Sequence, residues 1–137
     1  MTAPAPTGFD QALRVVADVR GWMTDDQARR LWDRAAVVAP GGQIVEIGSY
    51  QGRSAIVLAR AAAPEVEVVA IDPHAGNDRG PQEIHGSLTE GERDHQAFLA
   101  NLDQAGVRDR VRHVRAPSQK ATEDVNGPID LLYIDGA

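Results

Sequence analysis

The spacing of apolar residues changes near residue 40 of this chain. Before that point, apolar residues recur at intervals of three and four, which predicts two amphipathic helices, at residues 9–20 and 25–38. The second helix begins with a capping box, because the Thr24 hydroxyl can cap the first turn while the Gln27 side chain reaches back to residue 24. Pro40-Gly41-Gly42 then ends the helical pattern.

From residue 43 onward, continuous apolar runs alternate with helical patterns. Such runs are typical of strands buried on both faces, and their alternation with helices predicts a parallel sheet covered on two sides. The predicted strands cover residues 43–47, 65–71, 110–115 and 129–135. The predicted helices cover residues 53–63 and 92–105, with a long glycine-containing loop at 73–91 and a short helical turn at 118–125.

The expected organisation is a disordered tail at residues 1–8, a helical segment at 9–38 and an α/β domain with a doubly wound parallel sheet at 39–137. The fourth strand contains Leu131-Leu132-Tyr133-Ile134, an apolar run typical of an internal strand, and the sequence stops shortly after it. We therefore expect a sheet truncated after its fourth strand. A bare apolar edge favours pairing, so a homodimer is the expected assembly.

Composition excludes several classes of function. The 137 residues suit one domain, and a net charge of −6 argues against a nucleic-acid partner. Cysteine is absent, which excludes a disulfide framework, a thiolate nucleophile and a cysteine-ligated zinc site. The sequence has no apolar run near the ~18 residues of a membrane span and no signal-peptide pattern, so we expect a cytoplasmic protein without a membrane partner.

The candidate chemistry lies at the ends of the first two predicted strands. Gly48 and Gly52 follow the first strand, and Asp72 ends the second. A glycine-bearing turn lets backbone N–H groups approach a ligand, and an acid roughly 20 residues later can accept the hydroxyls of a ribose. This spacing predicts a site for a nucleoside-containing cofactor.

Two features of the sequence indicate which nucleoside-containing cofactor the site binds. The third glycine of the dinucleotide pattern G-x-G-x-x-G is missing, and Glu46 lies two residues before Gly48. A carboxylate there would repel the pyrophosphate of NAD, whereas it suits S-adenosylmethionine (SAM), which carries an ammonium and a sulfonium. SAM is therefore the favoured cofactor, and an NAD-dependent oxidoreductase is a less favoured alternative.

Three segments carry a family resemblance: residues 46–54 (EIGSYQGRS), 70–74 (AIDPH) and 129–137 (IDLLYIDGA). Together they resemble the N-terminal half of a class I SAM-dependent methyltransferase with a Rossmann-like fold, and in particular a bacterial subgroup of small-molecule O-methyltransferases. The resemblance covers about residues 38–137. Tyr50 stands where the broad family motif has its central glycine.

The resemblance implies a set of roles. Glu46 would orient the amino group of SAM, Asp72 would bind the ribose hydroxyls, and Pro73 and His74 would lie against the adenine, with Ala116-Pro117-Ser118 at its edge. Asp135 would face the sulfonium and the acceptor as a catalytic residue, and in metal-dependent relatives an acid at this position helps to hold a divalent cation such as Mg²⁺. The implied cofactor-binding residues are Glu46, Gly48, Ser49, Gly52, Ser54, Asp72, Pro73, His74, Ala116 and Ser118.

The remaining histidines differ in their expected roles. His85 lies in the long loop and is a candidate general base, because an unshifted histidine titrates near neutrality. The alternative is a loop that is simply disordered. His95 and His113 are expected to be ordinary surface or interior residues.

Two functions are compatible with these patterns. The first is an O-methyltransferase whose acceptor is a small hydroxylated metabolite, of sugar or polyketide type. The second is a non-catalytic SAM- or nucleotide-binding fragment that dimerises through its fourth strand.

Overall fold

Four parallel strands form the centre of the structure, a computed structural model that describes residues 8–75 and 87–135. Their order across the sheet is β3-β2-β1-β4, with β1 paired to both β2 and β4. The predicted parallel sheet is therefore confirmed. The strands are β1 (Gln43–Ile47), β2 (Glu67–Ile71), β3 (Val111–Val114) and β4 (Leu131–Ile134).

The two faces of the sheet are covered differently. One face carries Ile44, Val68 and Val111 and packs in the main core, where helix α3 is buried almost all round. The other face carries Val45, Val69 and Ile71, and Ala121 and Val125 from two short 3-10 turns pack against it. The helices are α1 (Gly8–Val16), α2 (Asp25–Ala36), α3 (Arg53–Ala61) and α4 (Ser87–Gln104).

Helix α1 is shorter than predicted, because it ends at Val16 instead of residue 20. The Arg53 guanidinium donates hydrogen bonds to the carbonyls of Val16 and Val19, each at 2.7 Å. The Val16 carbonyl also accepts from the Val19 N–H at 3.0 Å, so the chain closes a tight turn at the end of α1 that Arg53 binds. Residues 1–7 of the predicted disordered tail lie outside the described residues.

The capping box of α2 is confirmed. The Thr24 hydroxyl accepts from the Gln27 backbone N–H at 3.2 Å, and the Gln27 side chain accepts from the Thr24 N–H at 2.9 Å. The helix ends at Ala36, two residues before the predicted end. Both α1 and α2 pack against α3.

The predicted loop at residues 73–91 is wrong at its end, since α4 begins at Ser87 rather than Glu92. Gly91 was expected to be a loop residue but lies in the helix. It is buried against the chain after β2, where an added Cβ would clash with the His74 carbonyl oxygen. Glycine at this position thus serves close packing instead of a turn. Residues 76–86 lie outside the described residues.

The remaining boundaries differ by a few residues. Strand β2 begins at Glu67 rather than residue 65, because Gly41 donates to the Glu65 carbonyl and residues 63–66 form a turn. Strands β3 and β4 and helix α3 are each shorter than predicted, and two 3-10 turns, Ser118–Lys120 and Thr122–Asp124, replace the single predicted turn.

Strand β4 lies at the edge of the described sheet. Its Leu132 and Ile134 side chains are 47% and 63% exposed. These apolar residues were expected of an internal strand, and pairing with a second copy remains a prediction. Among the described residues, the helices are too short or too polar to cross a bilayer.

Gly52, just before α3, and Gly41, just before β1, provide a matched test of side-chain packing. Both have positive φ angles, +95° and +87°, so alanine should cost each site roughly 1 kcal/mol in backbone strain. Only at Gly52 would the new methyl meet another side chain, Phe98, at 3.3 Å. We expect Gly52→Ala to lower the free energy of unfolding by about 1–3 kcal/mol more than Gly41→Ala. Urea denaturation measures this difference, and equal losses would contradict it.

Candidate active site

The carboxyl ends of the four strands meet at one edge of the sheet. Because the strands are parallel in the order β3-β2-β1-β4, this edge presents Ala116, Asp72, Gly48 and Asp135 in that spatial sequence. Ligands of open α/β sheets bind at this edge. Residues that are far apart along the chain are therefore brought to one side of the domain.

The turn after β1 takes a conformation suited to glycine. Gly48 and Gly52 have φ angles of +94° and +95°, and Gly48 donates its N–H to the Ile71 carbonyl at 2.8 Å. Tyr50, which replaces the family's central glycine, has a φ of +48°. A tyrosine therefore adopts the left-handed backbone that glycine enters freely, at a cost of about 1–2 kcal/mol.

The Asp72 carboxylate stabilises this turn. Its Oδ2 accepts from the Tyr50 N–H and its Oδ1 accepts from the His74 N–H, both at 2.8 Å. Each carboxylate oxygen can accept more than one hydrogen bond, so Asp72 retains acceptor capacity toward a ligand. The side chain is half-buried and oriented by backbone donors from two segments.

A cavity of about 260 Å³ lies at the β1–β4 end of this edge. It brings together four predicted site residues: Gly48, Ser49, Ser54 and Asp135. Sequence reasoning assigned no role to the rest of its lining: Tyr50 and Arg53 lie within the motif at residues 46–54, whereas the residues after α1 carry no local motif and reach the cavity only through tertiary packing. These lining residues are Arg20, Gly21, Trp22, Met23, Tyr50 and Arg53.

Trp22 and Arg53 join the N-terminal segment to the cavity. The Trp22 ring lies 5.5 Å from the Tyr50 ring between centroids and is 69% exposed. The two Arg53 hydrogen bonds to α1 and the turn after it bring that segment to the cavity wall. The exposed tryptophan thus lies at the opening rather than in the core.

Glu46 is fully buried behind the cavity wall. Its Oε2 accepts a hydrogen bond from the Ser54 hydroxyl, and its Oε1 has no partner among the described residues. Burial raises the pKa of Glu46 to about 8, against the opposing hydrogen bond from Ser54; the Asp135 and Asp72 charges raise it further. Glu46 is therefore mostly protonated at neutral pH.

Other predicted site residues lie outside the cavity. Pro73 is exposed, Ala116 is half-buried, and Ser118 is exposed at the start of a 3-10 turn, all near the ends of β2 and β3. His74 is buried, with Nε2 at 2.6 Å from the Tyr50 carbonyl. His85 lies outside the described residues. The roles implied for all these residues stay predictions.

His95 and His113, which were expected to be ordinary surface or interior residues, lie against His74 and form a cluster of three histidines with it. The Nδ1 atoms of His74 and His95 are 3.0 Å apart, and the His113 ring centroid lies 4.8 Å from that of His74. Burial lowers the pKa of each of the three, that of His113 to about 4. The residues lie after β2, on α4 and on β3, so only the packing of α4 beside β2 and β3 could have revealed the cluster.

Among the described residues, the one group of three or more histidine or acidic residues placed to share an ion is the histidine cluster, which does not include Asp135. Mg²⁺ is commonly held by one or two carboxylates together with water molecules. The metal role implied for Asp135 therefore stays a prediction.

An open parallel sheet with a glycine turn, a ribose-type acid and a strand-tip cavity defines a class of nucleoside-cofactor-binding proteins. Comparison with known families refines this class: residues 45–137 match the family described as a methyltransferase domain. The chain belongs to this family, with the fold of class I SAM-dependent methyltransferases. The match favours the SAM alternative over the NAD-dependent oxidoreductase.

Individual relatives agree with this assignment. The chain is 33% identical over 94 residues to the catechol O-methyltransferase of Mycobacterium tuberculosis. Its fold matches that of the cofactor-bound Rv0187 from MTB, with 27% identity, a TM-score of 0.64 and 94% of this chain covered. It also matches the fold of an O-methyltransferase from Bacillus cereus in complex with SAH, with 20% identity, a TM-score of 0.62 and 97% of this chain covered.

These relatives are longer than the chain. The matches cover 35% of the catechol O-methyltransferase, 53% of Rv0187 and 56% of the Bacillus cereus chain. The chain thus spans about half or less of the proteins it resembles.

Glu46 predicts a particular pH dependence of stability. Its pKa is about 8 in the folded state and 4.5 as a model group, so unfolding releases its proton between these values. The folded state binds the extra proton, and this group's contribution to stability therefore falls as the pH rises from about 4.5 through 8. We expect Glu46→Gln to remove this component, so that its stability relative to the wild type increases from pH 5 to pH 8.

Urea denaturation at a series of pH values measures the difference between the two proteins. The matched control is Glu65→Gln, which alters an exposed glutamate before β2. A constant difference between wild type and Glu46→Gln across this range would contradict the prediction.

Proposed function

We propose that this chain binds SAM along the carboxyl edge of its sheet, as the cofactor-binding part of an O-methyltransferase for a small hydroxylated metabolite of sugar or polyketide type. The observation that carries the proposal is the unpartnered Oε1 of Glu46, fully buried behind the Ser54 wall of the cavity. A buried polar atom without a partner costs about 1–3 kcal/mol, and a cationic ligand would offset this cost.

The order of groups along the edge supports an extended pose. Adenine would lie near Pro73, Ala116 and Ser118, and the ribose hydroxyls would donate to Asp72. The methionine part would reach the turn at Gly48 and the cavity beyond it. The order of these groups thus suits a ligand with a base at one end and an amino acid at the other.

The buried polar atoms at the cavity suit the amino-acid end. The Ser49 hydroxyl, 2% exposed, has no partner among the described residues, and Glu46 lies behind Ser54. An ammonium group in the cavity would favour the charged form of Glu46, since an opposite charge counteracts the effect of burial. The interaction would be direct or through water.

The proposed chemistry is an in-line displacement at the sulfonium methyl. The acceptor oxygen attacks the methyl carbon, the carbon–sulfur bond breaks with its electron pair left on sulfur, and the acceptor loses its proton. Asp135 lines the cavity and is exposed, and its carboxylate would accept that proton. Trp22 and Met23 supply an apolar wall that would shield the reacting atoms from water.

Asp72 provides the test of cofactor binding. We expect SAM to bind the chain and Asp72→Asn to weaken binding at least about tenfold, because a neutral amide is a poorer acceptor for two ribose hydroxyls. Asp124→Asn, in an exposed 3-10 turn on the other side of β3, is the matched control and should bind as the wild type does. Isothermal titration calorimetry measures all three. No heat with SAM, or binding of NAD instead, would contradict the proposal.

Asp135 provides the test of methyl transfer. We expect formation of SAH with phenolic or sugar acceptors, and a loss of about 10²-fold or more in rate at saturating SAM for Asp135→Asn, as for removal of a general base. Mass spectrometry of the acceptor detects the added methyl group. SAM binding without turnover on any hydroxylated acceptor would instead favour the non-catalytic binding fragment.

A further inference from the structure

Three histidines that the proposed methyl transfer does not use meet between α4 and the sheet. His74 follows β2, His95 lies on α4 and His113 lies on β3. Their ring centroids are 4.8–5.4 Å apart, and one nitrogen from each ring lies within 4.8 Å of the other two. Three different elements thus bring their imidazole rings to one point.

We propose that His74, His95 and His113 bind one zinc ion. Zinc binds histidine nitrogens at about 2.0–2.1 Å in tetrahedral geometry, which places ligand nitrogens about 3.4 Å apart. The Nδ1 atoms of His74 and His95 are already 3.0 Å apart. A shift of about 1 Å in ring position therefore completes three ligand positions, and water would take the fourth.

The hydrogen bond of His74 to the Tyr50 carbonyl determines which ring nitrogen can bind a metal. The Nε2 atom lies 2.6 Å from the Tyr50 carbonyl, which can only accept, so Nε2 carries the proton and Nδ1 has a lone pair, which in the metal-free structure accepts from His95 Nδ1. Zinc-ligating histidines commonly donate their other N–H to a carboxylate or a backbone carbonyl. The tautomer that binds metal is therefore the one that the structure favours.

His113 supplies an independent observation. Its Nε2 is buried and has no hydrogen-bond partner among the described residues. An orphaned buried nitrogen is unfavourable in a folded protein. A metal ion in the cluster would provide its missing partner.

A buried aromatic ring borders the histidine cluster. The Phe98 ring is fully buried, 5.2 Å from the His74 ring and 4.6 Å from the His113 ring between centroids, and limits their reorientation. His95 is only half-buried, which leaves a path for the ion. Three imidazoles without a carboxylate favour zinc or another late transition metal over magnesium.

Metal binding would connect the cluster to the proposed cofactor site. His74 donates its backbone N–H to Asp72, and its ring bonds the Tyr50 carbonyl. A zinc ion on His74 would therefore restrain both the ribose-type acid and the left-handed turn. The site would stabilise this edge of the sheet and take no part in the chemistry.

Zinc titration of the metal-free chain in the absence of SAM tests the proposal independently of methyl transfer. We expect one zinc ion per chain, bound with micromolar affinity or better, an increase in Tm on binding, and no displacement by excess Mg²⁺. His95→Gln should weaken zinc binding at least about tenfold, whereas Gln96→Ala, at the next and exposed position of α4, should bind as the wild type does. Far-UV circular dichroism checks that both variants fold.

Cobalt provides a second measurement, because Co²⁺ in a tetrahedral nitrogen site has visible absorption bands. We expect these bands in the wild type and their loss in His95→Gln. No zinc binding in the micromolar range would overturn the proposal. Equal binding by wild type and His95→Gln would also overturn it, since the ion would then lie elsewhere.

Discussion

The arrangement of the carboxyl edge depends on one carboxylate, Asp72. Its two oxygens accept backbone N–H groups from Tyr50 and His74, which belong to two different connections. Hydrogen bonds to a charged acceptor are stronger than neutral ones, and here they offset the cost of placing a tyrosine in the left-handed region. Together with the hydrogen bond between His74 Nε2 and the Tyr50 carbonyl, this carboxylate joins the turn after β1 to the segment after β2.

The fold was largely predictable because its signals are local. The apolar runs at residues 43–47 and 67–71 and the capping box at Thr24 depend on neighbours in sequence, and the structure contains all three. The predicted helix bounds are wrong at places where residues distant in sequence contact the helix. Arg53 binds the Val16 carbonyl where α1 ends, and Gly91 of α4 packs against the main chain of His74.

The candidate site likewise contains residues that the sequence predicts and residues that it does not. Gly48, Gly52 and Asp72 could be located from their spacing, since strand ends of a parallel sheet share one edge. The N-terminal wall of the cavity and the histidine cluster could not, because Trp22, His95 and His113 carry no spacing signal. The environment of Glu46 was also hidden: its position in the motif suggests a charge, whereas complete burial favours the neutral form.

Gly91 affects both the histidine cluster and the carboxyl edge of the sheet, because it lies against the His74 backbone. Because it lacks a side chain, α4 approaches the His74 backbone more closely than any other residue would permit. That approach determines how far His95 reaches toward the sheet, and it also positions the segment that orients Asp72. A substitution at residue 91 would thus displace both the histidine cluster and the segment that orients Asp72, whereas a substitution of His95 changes the cluster alone.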